Sequence, residues 1–448
     1  MRGSRQIRRP RRACSERTDS DRDRPRSFPR SSLFGSDRVP PRARPGTALG
    51  GGAVAVLTLL ALGACGSANS STPTAARHFK PGVPLTMTVS PADGASDVRL
   101  DAPVRVRAMN GILRDVRVSS EQGSLAGDFD ADHVTWTSSD VLRPGTRYQV
   151  SATAAGGDLA QTSVTAFTTM VPQQVLTTDV QPYGGAVVGV GEPVVVNFSR
   201  PVTNRAAVQR RLVLTMSKPV EGAWNWFSPT QVHYRPRLPW PSGEKVMLRL
   251  NLAGVDAGAG VWGTTSRSVG FSVGDAHVST VDLVAHTMTV TSNGKVLRTF
   301  PISGGRPDRP TMGGPHNVLF KASSMVFDTT QTATDPADRY RLTSNWDVNF
   351  TSGGEFVHSA PWSVGSQGYV NVSHGCVNAS PDNAEWFYDF SQVGDIINVI
   401  NYTRPPELDQ DGTDWAWPWG KWVAGDAVLS QHPTTGTVPR VTGGTEGP

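Results

Sequence analysis

Cysteine is scarce in this chain of 448 residues, where it occurs three times, as Cys14, Cys65 and Cys376. The first two belong to the first 65 residues, so the rest of the chain has one thiol and no partner for an internal disulfide. Folded domains beyond that point must therefore be held together by hydrophobic cores. The remaining thiol, Cys376, stays free to react.

Long apolar runs are also scarce. The run from Ala48 to Ala64 is short of the ~20 apolar residues that a membrane-spanning helix needs, but it suits the hydrophobic region of a signal peptide. It ends in Leu62-Gly63-Ala64-Cys65, which resembles a bacterial lipobox, and that resemblance implies acylation of Cys65 after cleavage. We therefore expect 1–64 to be a leader, and the mature protein to be extracytoplasmic, lipid-anchored to the cell membrane and facing the cell wall.

Basic clusters are missing outside the leader. Residues 1–64 contain 14 arginines and five acidic residues, whereas the remaining chain has 29 basic and 33 acidic side chains. The mature protein thus lacks the basic patches that neutralise phosphates, and we expect no nucleic-acid partner. Residues 1–38 are long for the basic region of a signal peptide, so translation starting at Val39 is one hypothesis; if 1–38 is made, its composition predicts disorder.

The middle of the chain contains a weak internal repeat. A serine- and threonine-rich tether, 65–77, precedes two stretches in which short alternating strands are separated by Gly/Pro turns. Pro103-Val104-Arg105-Val106 corresponds to Pro193-Val194-Val195-Val196, and equivalent points lie 90 to 98 residues apart. This pattern predicts two immunoglobulin-like β-sandwiches, at 78–172 and 173–274. Neither has a catalytic grouping, so we interpret them as spacers.

The second of these modules has four tryptophans that allow two interpretations. They form either a packed core or a surface that binds glycans, and packing is the commoner use of such side chains. They are Trp224, Trp226, Trp240 and Trp262.

The remaining thiol lies in the hexapeptide Ser373-His374-Gly375-Cys376-Val377-Asn378, and His358 precedes the thiol by 18 positions. A cysteine beside histidines suggests a nucleophile, because the thiolate is the reactive form and a positioned imidazole can remove its proton. Gly375 allows a tight turn that points amide N–H groups at a developing oxyanion. Two other interpretations stay open on spacing alone: a buried structural thiol, and a zinc site with both histidines as ligands.

Short elements are predicted on both sides of this motif. Val370-Asn371-Val372 is typical of a strand, and Ser380 followed by Pro381 is typical of a helix start, which places the motif at a strand-to-helix junction. Three earlier segments alternate like strands, with a hairpin turn at 292–295: 278–284, 287–291 and 296–302. The domain around the motif is therefore predicted to be mainly β.

His358, a gap of 14 residues and then the hexapeptide 373–378 is similar to the signature of the L,D-transpeptidases, whose YkuD-type catalytic domain remodels bacterial peptidoglycan. The upstream segments 300–305 and 310–314 resemble the entry strand and glycine turns of that family. The resemblance covers 275–402. The two preceding β modules resemble the layout of the actinobacterial enzymes, as in mycobacteria.

The resemblance implies a role for each matching residue. Cys376 would be the nucleophile and His358 its base, with the Ser359 backbone carbonyl holding the other ring nitrogen. His374 would tune the thiolate or position substrate, while the amides of Gly375 and Cys376 would form the oxyanion hole. Tyr340 and Met325, on a flap at 323–341, and Trp362, on the pocket wall, would contact substrate. Ser373 and Asn378 would brace the motif turn or touch substrate.

The resemblance also implies an acyl transfer in two steps, with no cofactor and no metal ion. The thiolate attacks the third residue of a donor stem tetrapeptide and forms a thioester, and an amine of an acceptor stem resolves it into a 3-3 cross-link. Carbapenem inhibitors would acylate the same cysteine. The alternatives are an L,D-carboxypeptidase, in which water is the acceptor, and a non-catalytic wall-binding lipoprotein.

Two other classes of cysteine enzyme fit the motif less well. A sortase needs an arginine after its nucleophile and lacks the His-Gly-Cys sequence of 374–376. A wall-hydrolase peptidase normally places its cysteine before its histidine, which is the reverse of the order here.

A tryptophan-rich segment follows the domain that carries the motif, and it resembles the C-terminal subdomain of the mycobacterial-type enzymes. Its tryptophans predict that 403–433 folds back and packs on the body, whereas 434–448 is polar and predicted to be disordered. The predicted fold is thus mainly β: two immunoglobulin-like β-sandwiches, a β-rich YkuD-type catalytic domain and a short Trp-rich C-terminal extension.

Overall fold

The computed structural model describes Lys80, residues 82–331 and residues 335–429. The predicted leader, the acylated Cys65, the tether up to 77 and the tail from 434 lie outside the described residues. Within those residues, no helix combines the length and the apolar character needed to cross a membrane.

The first β module is a pair of four-stranded antiparallel sheets around one core. The sheets have the orders β1-β2-β6-β5 and β4-β3-β7-β8. Alternate residues of β7, among them Tyr148 and Val150, are buried against Trp136 and Phe167, as expected for strands with one face on a core. The strands are β1 (Thr86–Ser90), β2 (Arg105–Met109), β3 (Ile112–Ser120), β4 (Gly123–Leu125), β5 (Gly127–Phe129), β6 (Thr135–Ser138), β7 (Arg147–Gly156) and β8 (Leu159–Thr168).

The second module also has two four-stranded sheets, in the orders β10-β12-β15-β14 and β11-β19-β16-β13, with a small third sheet, β17-β18-β9. All four of its tryptophans are at most 7% exposed, so they pack in the interior and do not form a glycan surface. Its elements are β9 (Gln174–Leu176), β10 (Thr178–Gln181), β11 (Val187–Val188), β12 (Val194–Phe198), α1 (Arg205–Gln209), β13 (Leu212–Met216), β14 (Gly222–Ser228), β15 (Gln231–Pro236), β16 (Lys245–Leu250), β17 (Asp256–Gly258), β18 (Val261–Gly263) and β19 (Arg267–Val273).

The domain that carries the motif packs a five-stranded sheet, β22-β21-β20-β28-β23, and a four-stranded sheet, β24-β25-β26-β27, around one core. The three predicted strands are confirmed as β20 to β22, and the hairpin turns at Asn293-Gly294, where both residues have positive φ. The elements are β20 (His277–Asp282), β21 (Thr287–Ser292), β22 (Lys295–Pro301), β23 (Gly314–Asn317), β24 (Phe320–Asp328), β25 (Arg341–Asn349), β26 (Phe356–Ser359), β27 (Val377–Ala379), α2 (Pro381–Phe390) and β28 (Ile396–Ile400).

The structure confirms one local prediction beside the motif and corrects another. Ser380 caps α2 by accepting a hydrogen bond from the Asn383 amide, with Pro381 at the first helical position. The predicted strand at 370–372 is wrong, because that segment bonds irregularly instead of in a ladder: the Val372 amide donates to Ser303 Oγ, and the Asn371 side chain accepts from the Gly304 amide. The strand β27 instead begins inside the motif, at Val377, so the motif forms a loop-to-strand junction.

The tryptophan-rich segment packs on the second module. It includes a short 3-10 helix at Asp414–Ala416 and the helix α3 (Trp419–Ala424). Trp422 is fully buried, and its Nε1 donates to the carbonyl of Ala223 on β14. The predicted folding back of this segment is therefore seen in the described residues, up to 429.

Candidate active site

Two neighbouring parallel strands, β26 and β27, position the motif. In their register, His358 lies opposite Asn378 and Ser359 opposite Ala379. Cys376 immediately precedes β27, so alternation continued by one residue directs its side chain to the face of Asn378 and His358. The fold therefore brings together a thiol and an imidazole that are far apart in the sequence.

Ser373 and Gly375 shape the turn before the thiol. Ser373 Oγ donates to the Cys376 carbonyl at 2.5 Å and accepts from the Gly375 amide at 3.1 Å. Gly375 has φ +128°, and a Cβ there would lie 3.2 Å from Glu355 Oε1, so a side chain at this position would be strained. The Gly375 amide, one of the two predicted oxyanion donors, is thus engaged inside the turn.

The thiol of Cys376 is half-buried and held by backbone groups. Its Sγ lies 3.9 Å from the Gly354 carbonyl and receives a hydrogen bond from the Phe356 amide. Burial, reinforced by the negative charges of Glu355 and Asp347, raises the pKa of the Cys376 thiol to about 12, even though the Phe356 bond acts in the opposite direction. Before substrate binds, Cys376 is therefore a neutral thiol.

His358 is only 4% exposed. Its Nδ1 lies 2.9 Å from Ser344 Oγ on β25, and the ring also bonds to the Asn378 side chain and the Ser359 backbone. Burial lowers the pKa of His358 to about 4, so the ring is neutral at physiological pH. No hydrogen bond joins His358 to Cys376 in the described part of the chain, so the two groups form a neutral thiol and imidazole on one face.

The buried carboxylate of Glu355 lies next to the motif turn at Gly375. Glu355 accepts from the Met312 amide at 3.0 Å and from Arg404 at 3.1 Å, and Thr351 donates to its other oxygen. Burial raises the pKa of Glu355, although these hydrogen bonds oppose the shift. Because Arg404 opens the C-terminal segment, this contact links that segment to the site.

The predicted substrate-contacting residues divide into an open group and a buried group. Trp362 is 57% exposed, with its ring 6.0 Å from that of His358, and half-buried Met325 lies opposite Ser344 on the β24–β25 hairpin. Tyr340 lies 5.2 Å, ring to ring, from His374. Burial, followed by the nearby Cys376 charge, raises the pKa of Tyr340.

The buried group is Ser373 and Asn378, which are 6% and 3% exposed. Asn378 Nδ2 donates to Ser363 Oγ at 3.0 Å, while Ser373 bonds within the turn. Both side chains are thus engaged with the protein, which favours bracing over contact with substrate.

His374 contacts a charged cluster of Arg306 and Asp338. Its Nε2 lies 2.5 Å from Arg306 Nη1 and 3.1 Å from Asp338 Oδ1. The zinc-site interpretation has no support in the described residues, which contain no group of three His, Cys, Asp or Glu side chains arranged to hold a metal ion.

Sequence reasoning missed Ser344, Glu355, Arg306 and Asp338. Ser344 and Glu355 belong to strand and loop positions whose side-chain partners are set by register between strands, which no local pattern reports. One signal was available for Glu355: an acidic residue directly before the apolar pair Phe356-Val357 that opens a buried strand. A carboxylate in such a place needs a buried partner.

The fold is a β-rich domain that follows two immunoglobulin-like modules and has Cys376 and His358 on one face, and comparisons with known proteins identify both kinds of domain. Residues 95–256 match the family model of the bacterial Ig domain, and residues 276–399 match that of the L,D-transpeptidase catalytic domain. The first match spans parts of both sandwiches. The predicted boundaries at 172/173 and 274/275 fall between β8 and β9 and between β19 and β20, and they stay predictions.

The chain belongs to the L,D-transpeptidase family. It is 36% identical to L,D-transpeptidase 2 of Mycobacterium tuberculosis over 385 residues, which cover 83% of this chain and 94% of that protein. It is 33% identical to L,D-transpeptidase 5 of the same species, over 76% of this chain and 77% of that protein. A solved structure of an L,D-transpeptidase in complex with imipenem is 41% identical over 51% of this chain and all of that chain, with a TM-score of 0.45. The predicted family, fold class and enzyme class are therefore confirmed.

Proposed function

We propose that this protein is a peptidoglycan transpeptidase that forms 3-3 cross-links between stem tetrapeptides through a thioester on Cys376. Membership of the family supports the class of reaction. The observation that carries the proposal is the half-buried thiol of Cys376, placed by β26 and β27 on the same face as a neutral His358. A neutral imidazole is the form that can accept the proton of a thiol.

The chemistry proceeds in two balanced steps. Cys376 Sγ forms a bond to the carbonyl carbon of the third stem residue, and its proton passes to His358 as that bond forms. The bond to the terminal D-alanine then breaks, and D-alanine leaves as an amine after taking the proton from His358. In the second step an acceptor amine attacks the thioester carbonyl carbon, the C–S bond breaks as the new amide forms, and a proton released by that amine passes through His358 to Sγ.

The developing oxyanion needs donors close to Cys376. The proposal assigns this role to the Cys376 amide and the Tyr340 hydroxyl, with the Gly375 amide joining once it exchanges its bond to Ser373 Oγ. Trp362 and Met325 supply the apolar surface beside the reacting carbonyl.

The first test is the intact mass of residues 66 to 448 after incubation with meropenem, beside a Cys376→Ala variant. A carbapenem has a strained ring that opens on acylation, so we expect one drug-sized adduct on the unmutated protein and none on the variant. An unmodified mass for both proteins would overturn the acyl-enzyme and leave a wall-binding role. An adduct on both would move the nucleophile away from Cys376.

Stem tetrapeptides then separate the transpeptidase from the carboxypeptidase. Cross-linked dimers with loss of one D-alanine support transfer to an amine, whereas tripeptide alone shows that water is the acceptor. Both products can be resolved by mass in a single reaction.

The location of the enzyme is a further part of the proposal. Acylation of Cys65 would tether the catalytic domain to the outer face of the cell membrane, with the two sandwiches as spacers toward the wall. Mass spectrometry of the N-terminal peptide of the mature protein tests this, and a mature end other than lipid-modified Cys65 would exclude the anchor.

A further inference from the structure

A partly buried ion cluster that contacts His374 has no role in the chemistry described above. Its centre is Asp338, which is 7% exposed and lies in a short 3-10 helix, Pro336–Asp338. Arg306 Nη2 donates to its Oδ1 at 2.5 Å, and Arg309 Nη2 donates to its Oδ2 at 2.7 Å. One carboxylate thus bridges two guanidiniums through charge-assisted hydrogen bonds, which are stronger than neutral ones.

The two arginines come from a loop that is fixed to the motif. The Arg306 amide donates to the Ser373 carbonyl at 2.9 Å, and the Ser373 amide donates to the Gly304 carbonyl, also at 2.9 Å. The position of the Arg306 backbone is therefore set by the turn that carries Cys376. Asp338, in contrast, belongs to the end of the β24–β25 hairpin.

His374 Nε2 has two charged neighbours: Arg306 Nη1 at 2.5 Å, which can only donate, and Asp338 Oδ1 at 3.1 Å, which can only accept. Asp338 Oδ1 also accepts from the other terminal nitrogen of the same guanidinium and so fixes its plane. The carboxylate therefore holds the His374 ring both directly and through Arg306.

The backbone of Asp338, in contrast to its carboxylate, belongs to a frame that holds Tyr340. Thr329 Oγ1 donates to the Asp338 carbonyl at 2.6 Å and accepts from the Tyr340 amide at 2.9 Å, so the three residues form one frame. The Tyr340 ring then lies 5.2 Å from the ring of His374.

We propose that Asp338 is a positioning residue for acyl transfer: its carboxylate orients the His374 ring beside the motif, directly and through Arg306. This inference rests on the proposed function, because it assigns a purpose to the orientation of groups next to Cys376. The hydrogen bonds from Arg306 and Arg309 lower the pKa of Asp338 to about 2, so its charge is constant over the working range of pH.

The test compares Asp338→Asn with a matched control, Asp308→Asn, in the protein of residues 66 to 448. Asp308 also binds Arg306, at Nε and 2.9 Å, but its side chain is 63% exposed and does not contact the motif. We expect Asp338→Asn to slow acylation by meropenem at least about 10-fold, since small displacements of catalytic groups are costly, and Asp308→Asn to stay within about twofold. Asp338→Glu, which keeps the charge, should recover part of the loss.

A second readout does not depend on activity. Imidazole ¹H–¹⁵N spectra, assigned with His374→Gln, should show the same His374 ring signals in the unmutated protein and in Asp308→Asn, and shifted ring signals in Asp338→Asn. Thermal unfolding of all variants identifies any general loss of folding.

The possible results separate the positioning role of Asp338 from the proposed function. Unchanged ring signals in a folded Asp338→Asn, or acylation within about twofold of the unmutated protein, would overturn the positioning role. An equal loss in Asp308→Asn would also overturn it, because the effect would then follow the charge of the loop. If the unmutated protein itself is not acylated, the proposed function fails, while the ring signals still decide whether Asp338 orients His374.

Discussion

At the scale of single residues, Cys376 and His358 have opposite pKa shifts with one cause. Burial raises the pKa of the thiol to about 12 and lowers that of the imidazole to about 4, because removal from water disfavours the charged form of each. An ion pair of thiolate and imidazolium is therefore not the resting state. The proton must move as substrate binds or as the new bond forms, when the contact between the two groups shortens.

This protonation state predicts how Cys376 reacts with a small alkylating agent. Iodoacetamide reacts with the thiolate, so its rate with the protein of residues 66 to 448 should rise about 10-fold per pH unit from 7 to 9 without levelling off. An ordinary cysteine, with a pKa of about 8.5, levels off as pH passes that value. The check is the rate of mass gain at several pH values, with Cys376→Ala as the unreactive control. A rate independent of pH between about 5 and 8 would show a preformed thiolate and contradict the prediction.

At the scale of elements, local patterns and long-range contacts differ in what the sequence reveals. Strands β20 to β22 follow from period-two alternation and an Asn-Gly turn, both of which lie within the segment itself. The segment 370–372 has the same local character, but its backbone and side chains form hydrogen bonds with Ser303 and Gly304, 67 or more positions earlier. The strand prediction for this segment was therefore wrong.

The candidate site shows the same difference between local patterns and long-range contacts. A family signature was enough to place Cys376, His358 and His374, because their types and spacing are fixed along the chain. Ser344 on His358 and Arg404 on Glu355 could not be found that way, since each contact depends on packing between separate elements.

The C-terminal helix α3 gives a prediction about stability. Trp422 is fully buried, donates to the Ala223 carbonyl, and has the Arg235 guanidinium 4.6 Å above its ring. Trp422→Ala should lower the free energy of unfolding by about 3–5 kcal/mol, because it leaves a cavity and an unpaired carbonyl. Urea unfolding of the purified variants measures this.

The matched control for that variant is Trp362→Ala, because Trp362 is 57% exposed. It should change the free energy of unfolding by less than about 1 kcal/mol while it slows acylation, which is the reverse of the pattern expected for Trp422. A loss below about 1 kcal/mol for Trp422→Ala would mean that α3 contributes little to the folded body.

At the scale of the whole molecule, the second sandwich and the catalytic domain meet through a loop that ends at Glu192. The Gly189 amide donates to the Val393 carbonyl at 2.8 Å and the Gly191 amide to the Gly394 carbonyl at 2.7 Å, while Trp415 Nε1 of the C-terminal segment donates to the Gly191 carbonyl. Three parts of the chain thus converge on one loop. A buried acidic side chain at this point makes the junction sensitive to pH.

Burial, with a smaller effect from Asp414, raises the pKa of Glu192 to about 8. This value lies above the ~4.5 of the unfolded chain, so the folded state binds a proton more tightly, and stability falls as pH rises from about 4.5 to 8. The loss over that window amounts to about 4 to 5 kcal/mol, at 1.36 kcal/mol per unit of pKa. Glu192→Gln cannot ionise, so its advantage over the unmutated protein should be small at pH 5 and largest at pH 8.

Urea unfolding at pH 5, 6, 7 and 8, followed by tryptophan fluorescence, measures that difference. Glu221→Gln is the control on the same sandwich, because Glu221 is partly exposed and paired with Arg237 at the surface. If the gap between Glu192→Gln and the unmutated protein stays constant from pH 5 to 8, Glu192 is ionised in the folded state and must have a cationic or strongly donating partner at the junction. A gap that widens with pH shows instead that Glu192 is a protonated carboxyl at the interface between the sandwich and the catalytic domain. Raising the pH then ionises Glu192 and weakens the contact between these two domains.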